Sequence, residues 1–102
     1  MKMPTEDDAI KPLTLLVRKY PDLEAEVIWA KGAQWVAQDD EDEGLDGEEI
    51  PFYAAGMIAE GYACAWQVLG EGGPQFLRLF FWQGAAPPLP DDPDVLSVGQ
   101  AL

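Results

Sequence analysis

The side chains in this sequence that could take part in chemistry are almost all carboxylates. Asp and Glu number 19 against six Lys and Arg, and there is no histidine, which leaves a formal net charge of −13 at pH 7. Without imidazole, the commonest general base and metal ligand is missing, and the usual activation of a serine or cysteine nucleophile is excluded. We therefore expect a protein that is not an enzyme and that holds no cofactor.

The single cysteine, Cys64, narrows the chemistry further. One thiol cannot form a disulfide within the chain, and zinc and iron–sulfur sites need several thiolates or imidazoles. Its position in an alternating apolar stretch predicts that it packs in a strand as a small apolar residue, with a reactive thiol as the alternative. We expect no metal site.

Two short motifs resemble known ligand sites but depart from them at essential positions. The stretch 39–44 matches the opening of an EF-hand loop, but position twelve is Ile50, where calcium needs a bidentate glutamate. The glycine-rich stretch 70–74 resembles a phosphate-binding loop, but such a loop leads into a helix and this one precedes a predicted strand. Its Glu71 would also repel a phosphate group. Glu60, which is flanked by apolar sequence, is interpreted as a turn residue rather than a general acid.

The densest group of acids lies between residues 39 and 49, where eight of eleven side chains are carboxylic. Like charges repel each other, and burial of the single apolar side chain, Leu45, would not compensate for the conformational entropy lost when the stretch becomes ordered. The pattern therefore predicts a solvated loop. Its field repels phosphate and anionic membranes and speeds encounter with basic clefts. We expect a protein partner with a basic surface, bound through Asp39, Asp40, Glu41, Asp42, Glu43, Asp46, Glu48 and Glu49.

Two hypotheses about function follow from these features. In the first, the chain is a small acidic inhibitor that mimics nucleic acid in the basic cleft of a nucleic-acid-handling protein, by analogy with anti-restriction and anti-CRISPR proteins. In the second, it is an immunity or chaperone-like protein that neutralises a protein partner without such mimicry. Trp29, Trp35 or Trp82 would add an anchor in either case. The alternative is that the aromatic residues form the core and the acids only aid solubility.

The elements that must position these residues are predicted from apolar spacing and turn signals. Apolar residues at helical spacing before Pro21 predict an N-terminal helix, with Pro12 in its first turn or Thr5 as an earlier cap. A hairpin with its turn at 31–32 follows, in which Ile28 faces Trp35. A helix over residues 22–31 is the alternative to this hairpin.

Three further apolar stretches complete the predicted sheet. Residues 50–58 and 61–69 are interpreted as strands, although the first could be a helix with Pro51 in its first turn. Residues 75–83 have apolar side chains on both faces, which predicts a central strand.

The expected fold is α+β, with one N-terminal helix packed on a four- to five-stranded antiparallel sheet and the acidic loop between the second and third strands. We assign residues 1–86 to a single domain and 87–102 to an extended, solvated tail rich in Pro and Asp, whose segment 95–98 could dock on the body. No membrane helix and no secretory signal are predicted, so we expect a cytoplasmic location. A homodimer through an exposed aromatic face is left open.

Overall fold

The fold combines helices with one sheet, as a computed structural model describes it for residues 10–37 and 45–101. The α+β class is therefore confirmed, but these residues form two helices where the sequence analysis predicts one. The helices are α1 (Lys11–Lys19) and α2 (Glu49–Ala59). The strands are β1 (Glu24–Lys31), β2 (Gln34–Ala37), β3 (Ala63–Leu69), β4 (Phe76–Trp82) and β5 (Val95–Ala101).

The five strands form a mixed sheet in the order β2-β1-β4-β3-β5. β1 and β4 are parallel, whereas the other three neighbouring pairs are antiparallel. The prediction of a purely antiparallel sheet is wrong because the chain leaves the β1–β2 hairpin through α2 and returns along β3. β4 then lies between β3 and β1 and runs parallel to β1. A parallel neighbour is possible because the chain between β1 and β4 is long enough to cross over and contains a helix. β4 is central, as predicted.

Helix α1 forms where the apolar spacing predicts it. Leu13 and Val17 are buried, and Pro12 lies in the first turn, where its missing N–H leaves no hydrogen bond unmade. The Tyr20 N–H closes the last turn on the Leu16 carbonyl at 2.9 Å, and Pro21 then prevents another turn. The alternative start at Thr5 lies outside the described residues.

Helix α2 corrects the interpretation of residues 50–58 as a strand. Pro51 lies in its first turn, so the helical alternative is the one that forms. Ile50 and Ala54, four residues apart, are both fully buried, which places one side of the helix against the sheet. The acidic stretch therefore precedes a helix rather than a third strand.

The β1–β2 hairpin is confirmed, with a register that differs from the predicted one. Its turn contains Gly32, whose φ of +65° favours glycine, and Trp35 pairs with Ala30 instead of Ile28. The shift between partners is two residues, so every side chain keeps its predicted face.

One side of the sheet, the helix face, packs against both helices. Phe81 of β4 lies there in ring contact with Trp29 and with Tyr53 of α2. Trp66 of β3 covers Gly99 of β5, where a Cβ would collide with the indole ring. The buried cluster on this side comprises Ile10, Leu13, Val17, Ala25, Val27, Ile50, Ala54, Cys64, Trp66, Val68, Leu77, Leu79 and Phe81.

The opposite side, the strap face, is crossed by residues 83–94, which we call the strap. Side chains of three different strands hold it. The Trp35 Nε1–H donates to the Pro88 carbonyl at 2.9 Å, and the Gln67 Nε2–H donates to the Pro90 carbonyl at 2.7 Å. Arg78 bonds the Asp92 carboxylate at 3.2 Å.

The strap therefore runs against the sheet, whereas the composition of residues 87–102 predicts an extended, solvated tail. Its end continues into β5, which pairs with β3. Proline has no N–H to donate, so the strap is held through its oxygen atoms, which accept hydrogen bonds from sheet side chains. This long-range arrangement is not encoded in the local composition of the segment.

Candidate partner-binding surface

The N-terminal end of α2 presents the described part of the predicted acidic surface. The Asp46 carbonyl accepts hydrogen bonds from the N–H groups of Glu49 and Ile50 at 2.9 and 3.0 Å. In return, the Glu49 carboxylate accepts from the Asp46 N–H at 3.1 Å, so the two residues are joined by hydrogen bonds in both directions. Acids are also favoured here by the partial positive charge of the helix end. The turn that carries these carboxylates is therefore ordered.

This turn is attached to the body of the fold through backbone contacts. Leu45 and Ala25 exchange two backbone hydrogen bonds of 2.8 and 2.9 Å, which adds an antiparallel bridge to β1. Gly47 lies so close to Pro21 that a Cβ would stand 2.9 Å from the Pro21 carbonyl oxygen. Glycine is therefore required at this approach, and the acidic turn has a fixed position beside β1.

The predicted site residues divide into two groups. Asp46, Glu48 and Glu49 are described, and all three are exposed. The others, Asp39, Asp40, Glu41, Asp42 and Glu43, lie outside the described residues. The described neighbours of that stretch, Ala37 and Leu45, pair with Ile28 and Ala25 of the same strand, β1. The described residues on either side of 38–44 are thus both paired with one edge of β1.

Phe52, which is not among the site residues predicted from the sequence, adds an aromatic ring to this surface. Its side chain is 84% exposed, more than any other large apolar side chain in the described residues. A groove of about 270 Å³ lies on one side of it, lined by Leu45, Glu48, Glu49, Phe52 and Tyr53. A second groove of about 450 Å³, lined by residues of α1 and α2, also includes Phe52. An exposed ring thus stands beside two carboxylates, those of Glu48 and Glu49.

The helical alternative for residues 50–58 contains the signal that could have identified Phe52. If Ile50 and Ala54 face the sheet at helical spacing, Phe52 falls on the outer side of the helix.

The predicted tryptophan anchors are instead engaged within the fold. Trp29 contacts the rings of Tyr62 and Phe81, and Trp35 contacts Trp82 and Phe80.

The charges of this surface are not neutralised by the described cations. Across residues 10–37 and 45–101, the ion pair that forms is Arg78–Asp92, on the strap face. The carboxylates of Asp46, Glu48 and Glu49 make no ion pair with a described residue. They are therefore available to cations of a partner.

The remaining chemical groups do not form a second site in the described part of the chain. Cys64 is fully buried on the helix face, and burial raises the pKa of its thiol to about 12. No group of three or more Cys, Asp or Glu side chains there is arranged to hold a metal ion. None of the described helices has the length and apolar character needed to cross a membrane.

The chain matches no protein-family model, no curated protein and no solved structure.

Proposed function

We propose that this chain is a small, non-enzymatic, cytoplasmic inhibitor that binds the basic cleft of a nucleic-acid-handling protein. In this proposal its carboxylates take the positions that phosphates occupy in the natural ligand. The observation that carries the proposal is the ordered turn of Asp46, Glu48 and Glu49, exposed and without a described cation, next to the acidic stretch 39–43. A cleft lined by Lys and Arg would exchange its phosphate contacts for these carboxylates.

The position of Phe52 supports the same proposal. Clefts that bind single-stranded nucleic acid combine basic side chains with aromatic platforms on which bases stack. A ligand that imitates nucleic acid therefore gains from an exposed ring beside its negative charges. Phe52 supplies such a ring next to Glu48 and Glu49.

Phe52 also supports a second candidate, an immunity or chaperone-like protein that neutralises a protein partner without mimicry. An aromatic side chain that enters an apolar pocket can dominate the energy of a protein interface. In that case the carboxylates would mainly accelerate association, and the ring would determine the lifetime of the complex.

The experiment that tests the proposal begins with affinity capture from a lysate of the source organism at low salt, with and without excess duplex DNA. The captured protein is then purified, and its affinity is measured as a function of salt. For a nucleic-acid mimic we expect release by DNA and a steep loss of affinity as salt rises. A partner that is indifferent to both would contradict mimicry.

Three variants then locate the surface. We expect Asp46→Asn, Glu48→Gln and Glu49→Gln together to weaken binding more than Phe52→Ala if the chain is a mimic. The reverse order supports the second candidate. The matched control neutralises three exposed acids elsewhere, Glu60→Gln, Glu71→Gln and Asp91→Asn, so that net charge changes equally. Equal weakening by both triple variants would indicate a general charge effect rather than this surface.

A further inference from the structure

We propose that the strap face is a binding groove for an extended peptide segment of another protein, and that the chain's own strap fills this groove when no such peptide is bound. The groove recognises the peptide through its main-chain carbonyl groups and one acidic side chain. This inference concerns the face opposite the helices, so it does not depend on the proposed function of the acidic surface.

The first observation is how the strap is held. Trp35 and Gln67 donate side-chain hydrogen bonds to backbone carbonyls of the strap, and Arg78 contacts a carboxylate. Contacts of this kind select an extended backbone with a suitably placed acid, and they leave the other side chains free to vary. Domains that bind proline-rich peptides also use aromatic-lined grooves. Here the ring of Trp35 lies in contact with the rings of Phe80 and Trp82.

The second observation is that the strap covers the sheet without being buried in it. Every residue from 83 to 94 is exposed or half-buried, whereas Ala65, Gln67 and Phe80 of the strap face are buried. The strap therefore serves the fold as a cover and supplies no fully buried side chain. Another extended segment of similar shape can provide the same cover.

The strap is also longer than its connection requires. It joins Trp82, which pairs with Ala63, to Val95, which pairs with Leu69 near the other end of β3. Strand geometry places these two ends about 20–25 Å apart, whereas the extended strap can span about 40 Å. The strap can therefore move off the sheet while β4 and β5 both stay paired with β3.

The third observation is an unpaired acceptor that points to the ligand. Gln67 is 2% exposed and donates through Nε2–H to the Pro90 carbonyl at 2.7 Å, but its Oε1 accepts no hydrogen bond from any residue that the structure describes. Both atoms belong to one planar amide, so Oε1 also faces the strap near Pro90. Proline has no N–H to donate to it, and a buried acceptor without a partner is unfavourable.

A peptide with a residue other than proline at this position completes the hydrogen bonds of the amide. In an extended strand the N–H and C=O groups of one residue point to the same side, so that residue can donate to Oε1 and accept from Nε2 of Gln67. The strap thus resembles the ligand but lacks one of its hydrogen bonds. The occupant is an extended peptide with proline where the strap has Pro88, another residue where it has Pro90, and an acid where it has Asp92.

The test uses two synthetic peptides and the full, isotope-labelled chain. One peptide has the sequence of residues 86–94, and the other differs from it by Pro90→Ala. NMR follows the indole N–H of Trp35 and the side-chain amide of Gln67 at about 0.2 M salt, which screens repulsion between the acidic chain and the peptides. We expect saturable shifts of both signals. The absence of shifts at about 5 mM peptide, or shifts that spare both groups, would overturn the proposal.

A variant of Gln67 tests the role of its unpaired acceptor. The ratio of the two peptide affinities includes the greater flexibility of the free alanine peptide, which is the same for every variant of the chain. Gln67→Met should reduce the preference for the alanine peptide about fivefold, as loss of one hydrogen bond implies. The matched control, Gln75→Met, changes an exposed glutamine and should leave the ratio as it is. An unchanged ratio in Gln67→Met contradicts the assigned ligand.

A second pair of variants tests displacement of the strap and does not require Gln67→Met to fold. Asp92→Asn removes the ion pair that holds the strap, so the open fraction rises and both peptides should bind about 1.5- to 5-fold more tightly. Asp91→Asn makes the same change of charge at an exposed neighbour and should leave both affinities unchanged. Equal effects of the two variants would mean that charge alone, and not release of the strap, controls peptide binding, which contradicts the proposal.

Discussion

The two faces of the sheet are covered in different ways, although adjacent residues of β4 supply a fully buried phenylalanine to each. Phe81 lies on the helix face, against Trp29 and Tyr53. Phe80 lies on the strap face, against Trp35, which itself donates a hydrogen bond to the strap. The backbone N–H and C=O groups within a helix form hydrogen bonds with each other, so the contact of a helix with a sheet is mainly apolar. The strap is held to the sheet by side-chain donors.

This difference shows how an irregular, proline-rich segment can cover a sheet. Three donors on three strands, Trp35, Gln67 and Arg78, each reach an oxygen of the strap. Each such bond contributes about 1 kcal/mol, whereas burial of an aromatic ring contributes more. We therefore expect the helix face to dominate stability and the strap face to be held by several smaller contributions.

The largest expected effect comes from truncating the two phenylalanines. Phe81→Ala should lower the free energy of unfolding by about 4–5 kcal/mol, and Phe80→Ala by about 3 kcal/mol, because the strap can collapse more easily into the cavity. Urea denaturation of both variants gives the values. A larger loss for Phe80→Ala would reverse the proposed ranking of the faces.

The next effect concerns Gln67, the buried polar residue of the strap face. Gln67→Ala removes the hydrogen bond to the Pro90 carbonyl and leaves that oxygen without its donor, so we expect a loss of about 1–3 kcal/mol. The control is Gln75→Ala, because the exposed Gln75 reaches the Glu71 carbonyl only at 3.4 Å. Its unfolding free energy should change by less than about 0.5 kcal/mol. Similar losses in both would show that the strap contact contributes little.

The free energy of unfolding should depend on pH through Cys64, which is buried on the helix face. Its pKa is raised from 9.0 to about 12, so the folded state keeps a proton that the unfolded chain loses. The associated stability is fully present below pH 9 and is lost as pH rises from 9 toward 12. At pH 10 the loss should be about 1 kcal/mol.

The measurement is urea denaturation at pH 8 and pH 10 for the unmodified chain and for Cys64→Ala. The difference between these two pH values should be smaller in the variant by about that amount. An unchanged difference would show that the thiol does not ionise on unfolding in this range.

The smallest effect is expected for the ion pair of the strap. Arg78 and Asp92 are 24% and 34% exposed, so solvent screens much of their attraction. A double-mutant cycle with Arg78→Met and Asp92→Asn should give a coupling energy of about 0.2–1 kcal/mol that decreases with salt. A coupling well above this range would make the strap face more dependent on charge than its hydrogen bonds indicate.

The elements with local signals were predictable from the sequence. Helix α1 has helical spacing between two prolines, and β4 has apolar residues on both sides, so its central position followed. The parallel pairing of β1 with β4 was not predictable, because nothing local distinguishes it from antiparallel pairing. The strap was missed because its donors lie far away in sequence.

The candidate surface was predictable in part. The exposure of Asp46, Glu48 and Glu49 follows from their place in an acidic stretch. Phe52 does not follow from the prediction of a strand over residues 50–58. A strand places every second side chain on one face, whereas a helix places residues three to four apart on one face. The assignment of a single stretch to helix or strand thus changed which aromatic residue faces solvent.

The parallel pairing of β1 with β4 also affects how the chain folds during its synthesis. The partners Ile28 and Phe80 are separated by about fifty residues, which a ribosome adds in roughly 3–10 s. Hairpin formation takes microseconds, so β1 and β2 can pair long before β4 exists. During that interval the inner edge of β1 has no partner strand, and Ile28 has no Phe80 beside it. The nascent hairpin is therefore the stage at which a chaperone that recognises exposed apolar strands would bind this chain.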